Sequence, residues 1–177
     1  YRLLIIIAAV VFLAGLIVLL FPVFTNTLYN MEVEQQKETF HQQIDQAREQ
    51  LETQGDNNSP ALPFEELYQE LKRRNEQLYE ENQSDLKDPF SYEQPGIDLT
   101  EYGLEGNIIG FISIPKMDIE LPILLGANTK NMKEGAVHLT ETSYPIGGDN
   151  TNCVIAAHRG YSRAAMFREI QKLEIGD

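Results

Sequence analysis

The sequence has a single cysteine, Cys153, among its 177 residues. One thiol cannot form a disulfide within the chain, so the fold has to be stabilised by packing. The three histidines, His41, His138 and His158, are far apart in the sequence and form no metal-ligand cluster of recognisable spacing with that cysteine. We therefore expect no bound metal, and nothing in the chain predicts a cofactor.

Basic residues are also scarce: 14 lysines and arginines stand against 27 acidic residues, a net charge of −13. Residues 31–105 hold 19 acidic and 6 basic residues, whereas residues 106–177 hold 8 and 7. A strongly acidic half has no basic patch to meet phosphates, which disfavours nucleic acid and anionic lipid as its partners, so we expect no nucleic acid partner. We interpret this acidity as the solvated surface of helices.

The composition, 42% hydrophobic and 23% charged residues, is typical of a globular protein. The sequence opens on Tyr1 and stops at "EIGD", directly after an amphipathic run. We expect it to be a fragment of a longer protein.

Charge is absent from Leu3 to Phe24, a run of 22 apolar or uncharged residues. As a helix this run spans roughly 33 Å, enough to cross a bilayer and longer than the apolar part of a cleavable signal peptide. Arg2 precedes it, and the acidic residues Glu32 and Glu34 follow it. The positive-inside rule predicts a signal anchor with its N-terminus in the cytoplasm and the rest of the chain outside.

Two amphipathic helices are predicted after this run. The first carries an apolar stripe of Val33, Phe40, Ile44, Ala47 and Leu51, and the second runs from about Phe64 to Glu81 with Phe64, Leu67, Leu71 and Leu78 on one face. "QGDNNSPALP" separates them because glycine, asparagine and proline favour turns. The stripes are compatible with a helical hairpin or with packing onto the next domain.

The pattern changes to period two in "NIIGFISIPKMDIELPILLG". Two short strands are predicted there, joined at Pro115-Lys116, which suggests a barrel or a sandwich. "CVIAAHRG" resembles a buried strand with a polar end, and Phe167, Ile170 and Leu173 predict a short helix after it.

Cys153 and His158 are five residues apart in that last strand. In an extended chain they point to opposite faces and lie about 16 Å apart, so the cysteine is interpreted as a small buried hydrophobe rather than a partner of the histidine. His158 stands where a strand meets a loop, a position that suits a catalytic acid or base. The pattern alone leaves a structural and a catalytic role open.

Several segments together resemble the pilus-assembling, or class C, sortases. They are "DPF", "GFISIPKMDIELPILLG", "GAVHLTETSYPIGGDNTNCVIAAHRG" and "MFREIQKLEIGD", in that order after the apolar run. The resemblance implies a mainly β fold, a truncated sortase-type β-barrel preceded by a transmembrane helix and two acidic helices. It divides the chain into a signal anchor at 1–25, an extracytoplasmic helical segment at 26–83, a lid loop at 84–95 and the first part of the barrel at 96–177.

The resemblance also implies a cysteine transpeptidase with His158 as the catalytic histidine. The family's nucleophilic cysteine and its arginine have no counterpart in these residues, so we expect the fragment itself to be inactive. Asp88 and Phe90 match the lid, where the carboxylate pairs with the arginine and the ring covers the thiol. His138 lies in a loop with no chemistry assigned to it.

The implied partners are surface proteins with LPXTG-type sorting signals, pilin subunits and the membrane. Two alternatives stay open. One is a housekeeping sortase that attaches proteins to the cell wall, and the other is a non-catalytic, membrane-tethered module that binds through its acidic helices.

Overall fold

The computed structural model describes residues 1–54, 62–81 and 91–177. These comprise helices α1 (Arg2–Gln54), α2 (Glu65–Glu80) and α3 (Thr129–Glu134), and strands β1 (Ile108–Ile114), β2 (Ile119–Leu125), β3 (Ala136–His138) and β4 (Ile155–Ala156). Short 3-10 helices cover Ser91–Glu93, Leu99–Tyr102, Pro115–Met117 and Met166–Lys172.

The described part of the chain is mainly helical, so the prediction of a mainly β fold is not confirmed. Helices α1 and α2 contain 53 and 16 residues, whereas the four strands contain 7, 7, 3 and 2. Helix α1 continues without a break from the apolar run into the acidic segment. Pro22 lies inside it and removes one backbone donor without ending the helix.

Helix α1 is long and apolar enough to cross a membrane, as the uncharged run predicts. Its large apolar side chains are exposed along this run, from Leu3 to Phe24. Within the described residues this run is apolar and exposed on every side, which is typical of a lipid-facing span.

The four strands form one sheet in the order β1-β2-β3-β4. Strands β1 and β2 are antiparallel, β2 and β3 are parallel, and β3 and β4 are antiparallel. The predicted connection at Pro115-Lys116 is confirmed as a 3-10 turn that closes with Asp118 in the left-handed region. The pairing register shifts at Ile109, between Ile108 and Gly110.

Strand β2 is buried on both faces, from Leu121 to Leu125. Leu121 belongs to a core formed with α1 and the 3-10 helix Met166–Lys172, and Leu125 belongs to a second core formed with α2. Val33 and Phe40 of the first predicted stripe, and Phe64, Leu67 and Leu71 of the second, therefore pack onto the strand-containing part of the chain, whereas Leu51 of the first stripe is exposed. This explains why β2 is a continuous apolar run instead of an alternating one.

The last segment is less regular than its pattern predicts. Strand β4 has only two residues, which pair with Val137 and His138 of β3. The predicted helix is a 3-10 helix, since Met166 has a positive φ and Phe167 has non-helical angles. Phe167 is buried, whereas Ile170 is exposed.

Candidate active site

His158 follows β4 by two residues and is half-buried. Its backbone carbonyl accepts a hydrogen bond from the Phe167 amide at 3.0 Å, which ties the turn after the sheet to the 3-10 helix Met166–Lys172. Phe167 is itself buried in the first core. The His158 backbone therefore lies between β4, which pairs with β3, and a buried residue of the 3-10 helix. The strand end therefore presents an imidazole from a well-anchored position.

The imidazole of His158 is stacked on the phenol ring of Tyr161. The ring centroids are 5.4 Å apart and the planes are inclined by 13°. Tyr161 in turn exchanges two backbone hydrogen bonds with Ala164, at 2.9 and 3.2 Å. This short closed loop fixes the tyrosine, and the tyrosine limits the rotation of the histidine ring.

The turn between these two aromatic residues requires a glycine. Gly160 has φ +97°, in the left-handed region, and a Cβ there would stand 2.8 Å from Nε of Arg168. The guanidinium of Arg168 therefore lies directly over the His-Arg-Gly turn. This contact was not apparent from the sequence pattern.

Cys153 lies upstream of β4 and is half-buried. Burial raises the pKa of its thiol, which opposes the thiolate form that a nucleophile needs. Within the described residues, no hydrogen bond joins Cys153 to His158. The structure thus agrees with the interpretation of Cys153 as a packing residue, although it is less buried than predicted.

His138 is fully buried at the end of β3. Its Nε2 lies 3.0 Å from the Ser143 carbonyl, which can only accept, so this nitrogen carries the proton. Thr142 Oγ1 is 3.2 Å from the same nitrogen, and the ring is stacked on Tyr144 at 4.9 Å. Burial lowers the pKa of His138, which makes it a neutral structural residue.

Asn75 of α2 is a buried polar residue that the apolar stripe did not reveal. Its carboxamide accepts from the Tyr144 amide at 2.7 Å and donates to the Tyr144 carbonyl at 3.2 Å. Two backbone groups of the loop are thereby satisfied by one side chain from the acidic helix. Asn75 follows Leu67 and Leu71 at helical spacing, which is the only signal in the sequence that could have indicated its burial.

The predicted lid residues Asp88 and Phe90 lie outside the described residues. The chain that follows them is attached to the sheet. Ala127 donates to the Tyr92 carbonyl at 2.7 Å, and Asn128 donates to the Glu93 carbonyl at 3.3 Å. Gly126, with φ +82°, allows this approach because a Cβ there would stand 2.5 Å from the Glu93 carbonyl oxygen.

Residues 1–54, 62–81 and 91–177 contain no group of three or more histidine, cysteine or acidic side chains placed to hold a metal ion. The imidazole of His158 is a group that can take part in proton transfer. A half-buried imidazole that is held at a strand end suits a general acid or base.

Comparison with protein families identifies this region. The sortase domain model matches residues 112–177, which include β2, β3, β4 and His158. The chain is 29% identical over 124 residues to sortase A of Bacillus anthracis, a match that covers 65% of this chain and 58% of that protein. It is 33% identical over 72 residues to sortase D of Bacillus subtilis (strain 168), covering 41% and 33%.

Solved structures similar to this one include sortase C1 from Streptococcus agalactiae, with 29% identity and a TM-score of 0.49, covering 76% of this chain and 66% of that one. Sortase C from Streptococcus pneumoniae is 28% identical with a TM-score of 0.43, covering 76% and 64%. The chain spans less than two thirds of the length of the curated relatives that it matches. The resemblance to sortases is confirmed for residues 112–177, which match the sortase domain model.

Proposed function

We propose that the protein containing these residues is a membrane-anchored sortase, a cysteine transpeptidase that acts on LPXTG-like sorting signals. The observation that carries this proposal is the position of His158. It lies inside the segment that matches the sortase domain, and it is the histidine that stands half-buried at a strand end. The other histidine of that segment, His138, is fully buried and neutral.

His158 acts as the general acid in this reaction. A cysteine thiolate attacks the carbonyl carbon of the Thr-Gly bond, the peptide C–N bond breaks, and His158 gives its proton to the departing glycine amine. An acceptor amine then attacks the thioester, releases the thiolate and forms a new amide, while its proton returns to the histidine. The reaction also needs a nucleophilic cysteine and an arginine that steadies the oxyanion, and the half-buried thiol of Cys153, with its raised pKa, does not suit the nucleophile's role.

We assign the enzyme to the pilus-assembling class C, whose acceptor amine is a lysine of another pilin subunit. The support is the Asp88-Pro89-Phe90 sequence ahead of the first strand. In this assignment the carboxylate pairs with the arginine and the ring covers the thiol, a closed resting state that the substrate displaces. The sheet β1-β2-β3-β4 is then the first part of the sortase barrel, within domain limits of 84–95 for the lid and 96–177 for the barrel.

The same proposal places α1 across the membrane, as a signal anchor over residues 1–25. Arg2 then lies on the cytoplasmic side, and the acidic helices at 26–83 and the sheet lie outside. The support is the exposed apolar surface of α1 up to Phe24.

The role of His158 is tested in the full-length enzyme by His158→Gln, with thioester formation on an LPXTG peptide followed by mass spectrometry. General acid catalysis contributes typically 10²–10⁴-fold, so we expect a loss of that size. His41→Gln is the matched control, because His41 is an exposed histidine on α1. Full activity of the His158 variant would remove it from the mechanism.

The class assignment is tested by replacing both Asp88 and Phe90 with alanine in the same enzyme. Opening the lid should raise the rate of thioester formation, with Asp85→Ala as a control that removes a nearby carboxylate. An unchanged rate would instead favour a housekeeping sortase, whose acceptor is a cell-wall precursor.

A further inference from the structure

The loop after His158 lies against α1 just beyond the apolar run. Thr25 Oγ1 donates a hydrogen bond to the Ser162 carbonyl at 3.3 Å, and one nitrogen of the Arg163 guanidinium lies 2.6 Å from a carboxylate oxygen of Glu32. The loop is thus tied to the helix at two heights. Both contacts fall within eight residues of Phe24, where the uncharged run ends.

The rise per residue of an α-helix gives the distance of each contact from Phe24 along the helix axis. At 1.5 Å per residue, Thr25 lies about 1.5 Å and Glu32 about 12 Å beyond Phe24 along the helix axis. The polar layer on each side of a bilayer is roughly 5–8 Å thick. If α1 crosses the membrane over residues 3–24, the loop 159–168 therefore lies in and just above the headgroup layer.

Beside these contacts, a groove of about 330 Å³ is lined by residues of the loop and of α1. Pro22 and Val23 form its apolar end, and Arg163 and Arg168 lie on the loop side together with Tyr161. Among the described residues that line this groove, none is acidic. Such a mixture, with apolar groups toward the membrane and guanidinium groups above them, matches an acyl chain below a phosphate.

The loop 159–168 carries three arginines, although the chain as a whole has a net charge of −13. Arg168 and Arg159 are exposed and have no ion-pair partner in the part of the chain that the structure describes. Arg163 is also exposed, and its pair with Glu32 is a surface pair that contributes little to stability. These guanidinium groups can therefore turn to a phosphate at little cost.

We propose that Arg163 and Arg168 bind the phosphates of anionic phospholipid headgroups in the leaflet from which α1 emerges. This proposal depends on the membrane anchoring proposed above. In the enzyme, this contact would set the distance between the active site and the membrane. Tyr161 lines the groove and stacks on His158, so lipid contact at the loop would hold the active-site end of the sheet at a defined height above the membrane.

The test uses the full chain in nanodiscs of phosphatidylcholine alone or with 30% phosphatidylglycerol, and measures hydrogen exchange of the amides 161–168. Each arginine near an anionic surface contributes about fivefold in affinity, so exchange should slow by roughly that factor or more with phosphatidylglycerol. Arg163→Gln combined with Arg168→Gln should abolish the difference between the two lipids.

The matched control is Arg48→Gln combined with Lys72→Gln, which removes the same charge. Both are exposed, and Arg48 lies about 36 Å beyond Phe24 along α1. This control should keep the lipid dependence. Equal exchange in the two lipids, or equal loss in both double variants, would overturn the proposal.

A third arm adds inorganic phosphate to phosphatidylcholine discs at matched ionic strength. No change is expected, and protection equal to that given by phosphatidylglycerol would show a site for free phosphate and overturn the headgroup assignment. Recovery of the chain with the discs is scored separately. A chain that fails to insert contradicts the anchor itself, whereas an inserted chain without lipid dependence contradicts only the headgroup proposal.

Discussion

The imidazole of His158 and the phenol ring of Tyr161 lie nearly parallel, with centroids 5.4 Å apart. Two residues separate them in the sequence, and the left-handed turn at Gly160 brings the second ring back over the first. The stack restrains the side chain on which the proposed chemistry depends. We therefore expect Tyr161 to position the His158 imidazole in the proposed reaction.

We predict that Tyr161→Leu in the full-length enzyme lowers the rate of thioester formation by about 2- to 10-fold, because an aromatic pair contributes roughly 0.5–1.5 kcal/mol beyond its buried area. Tyr161→Phe keeps the ring and should restore the rate. Melting temperatures of the two variants separate positioning from folding. A phenylalanine variant as slow as the leucine variant would show that the ring stack is not what matters.

Gly126 should tolerate alanine worse than Gly106 does. Both have positive φ, +82° and +91°, but a Cβ at Gly126 meets backbone atoms of Glu93 and Gln94 within 3 Å, and one at Gly106 meets nothing within 4 Å. The left-handed backbone costs both variants about 1–2 kcal/mol, and crowding adds about 1–3 kcal/mol at Gly126 only. Urea unfolding of the two variants measures the difference, and equal losses would contradict the close approach.

Releasing this contact should also expose the predicted lid. Limited proteolysis of Gly126→Ala should cut within residues 84–95 faster than in the Gly106→Ala protein. The reason is that Ala127 and Asn128 tie the end of this segment to the sheet. Unchanged cleavage would mean that the lid is retained by other contacts.

Asn75→Ala should destabilise the fold by about 1–3 kcal/mol, because it leaves the buried amide of Tyr144 without its partner, whereas the Tyr144 carbonyl keeps its hydrogen bond from the Ile146 amide. Gln69→Ala is the control on the same helix, since Gln69 is exposed and bonds only within α2. That change should stay within about 0.5 kcal/mol. Denaturant midpoints measure both, and a small effect at Asn75 would show that the loop readily finds other donors and acceptors.

His138 predicts a pH dependence of stability. Its pKa is lowered in the folded state by burial, while the unfolded chain titrates near pH 6.5. Below that pH the unfolded state binds the extra proton, so the contribution of His138 to the unfolding free energy is constant above about pH 6.5 and falls as the pH decreases, by up to about 1.4 kcal/mol per unit. Unfolding free energies between pH 7.5 and 5 should show a weaker slope in His138→Gln. The control is His41→Gln, which replaces an exposed histidine on α1.

The sequence by itself determined the features that depend on local pattern. An uncharged run long enough for a membrane span, the turn at Pro115 between two strands, and the segment around His158 that resembles sortases can all be recognised without coordinates. Each depends on residues close together in the chain, where helix or strand periodicity relates neighbouring side chains directly.

Only the tertiary structure decided which of these residues meet. Asn75 and Tyr144 are 69 positions apart, and their contact follows from α2 packing over the end of β2. The continuous α1, the short β4 and the parallel pairing of β2 with β3 were likewise hidden. Periodicity indicates which face of an element is buried, but the partner that covers it depends on how the chain returns, because burial is non-directional. The sequence pattern also left the role of His158 open. Its ring stack on Tyr161 is visible only in the structure.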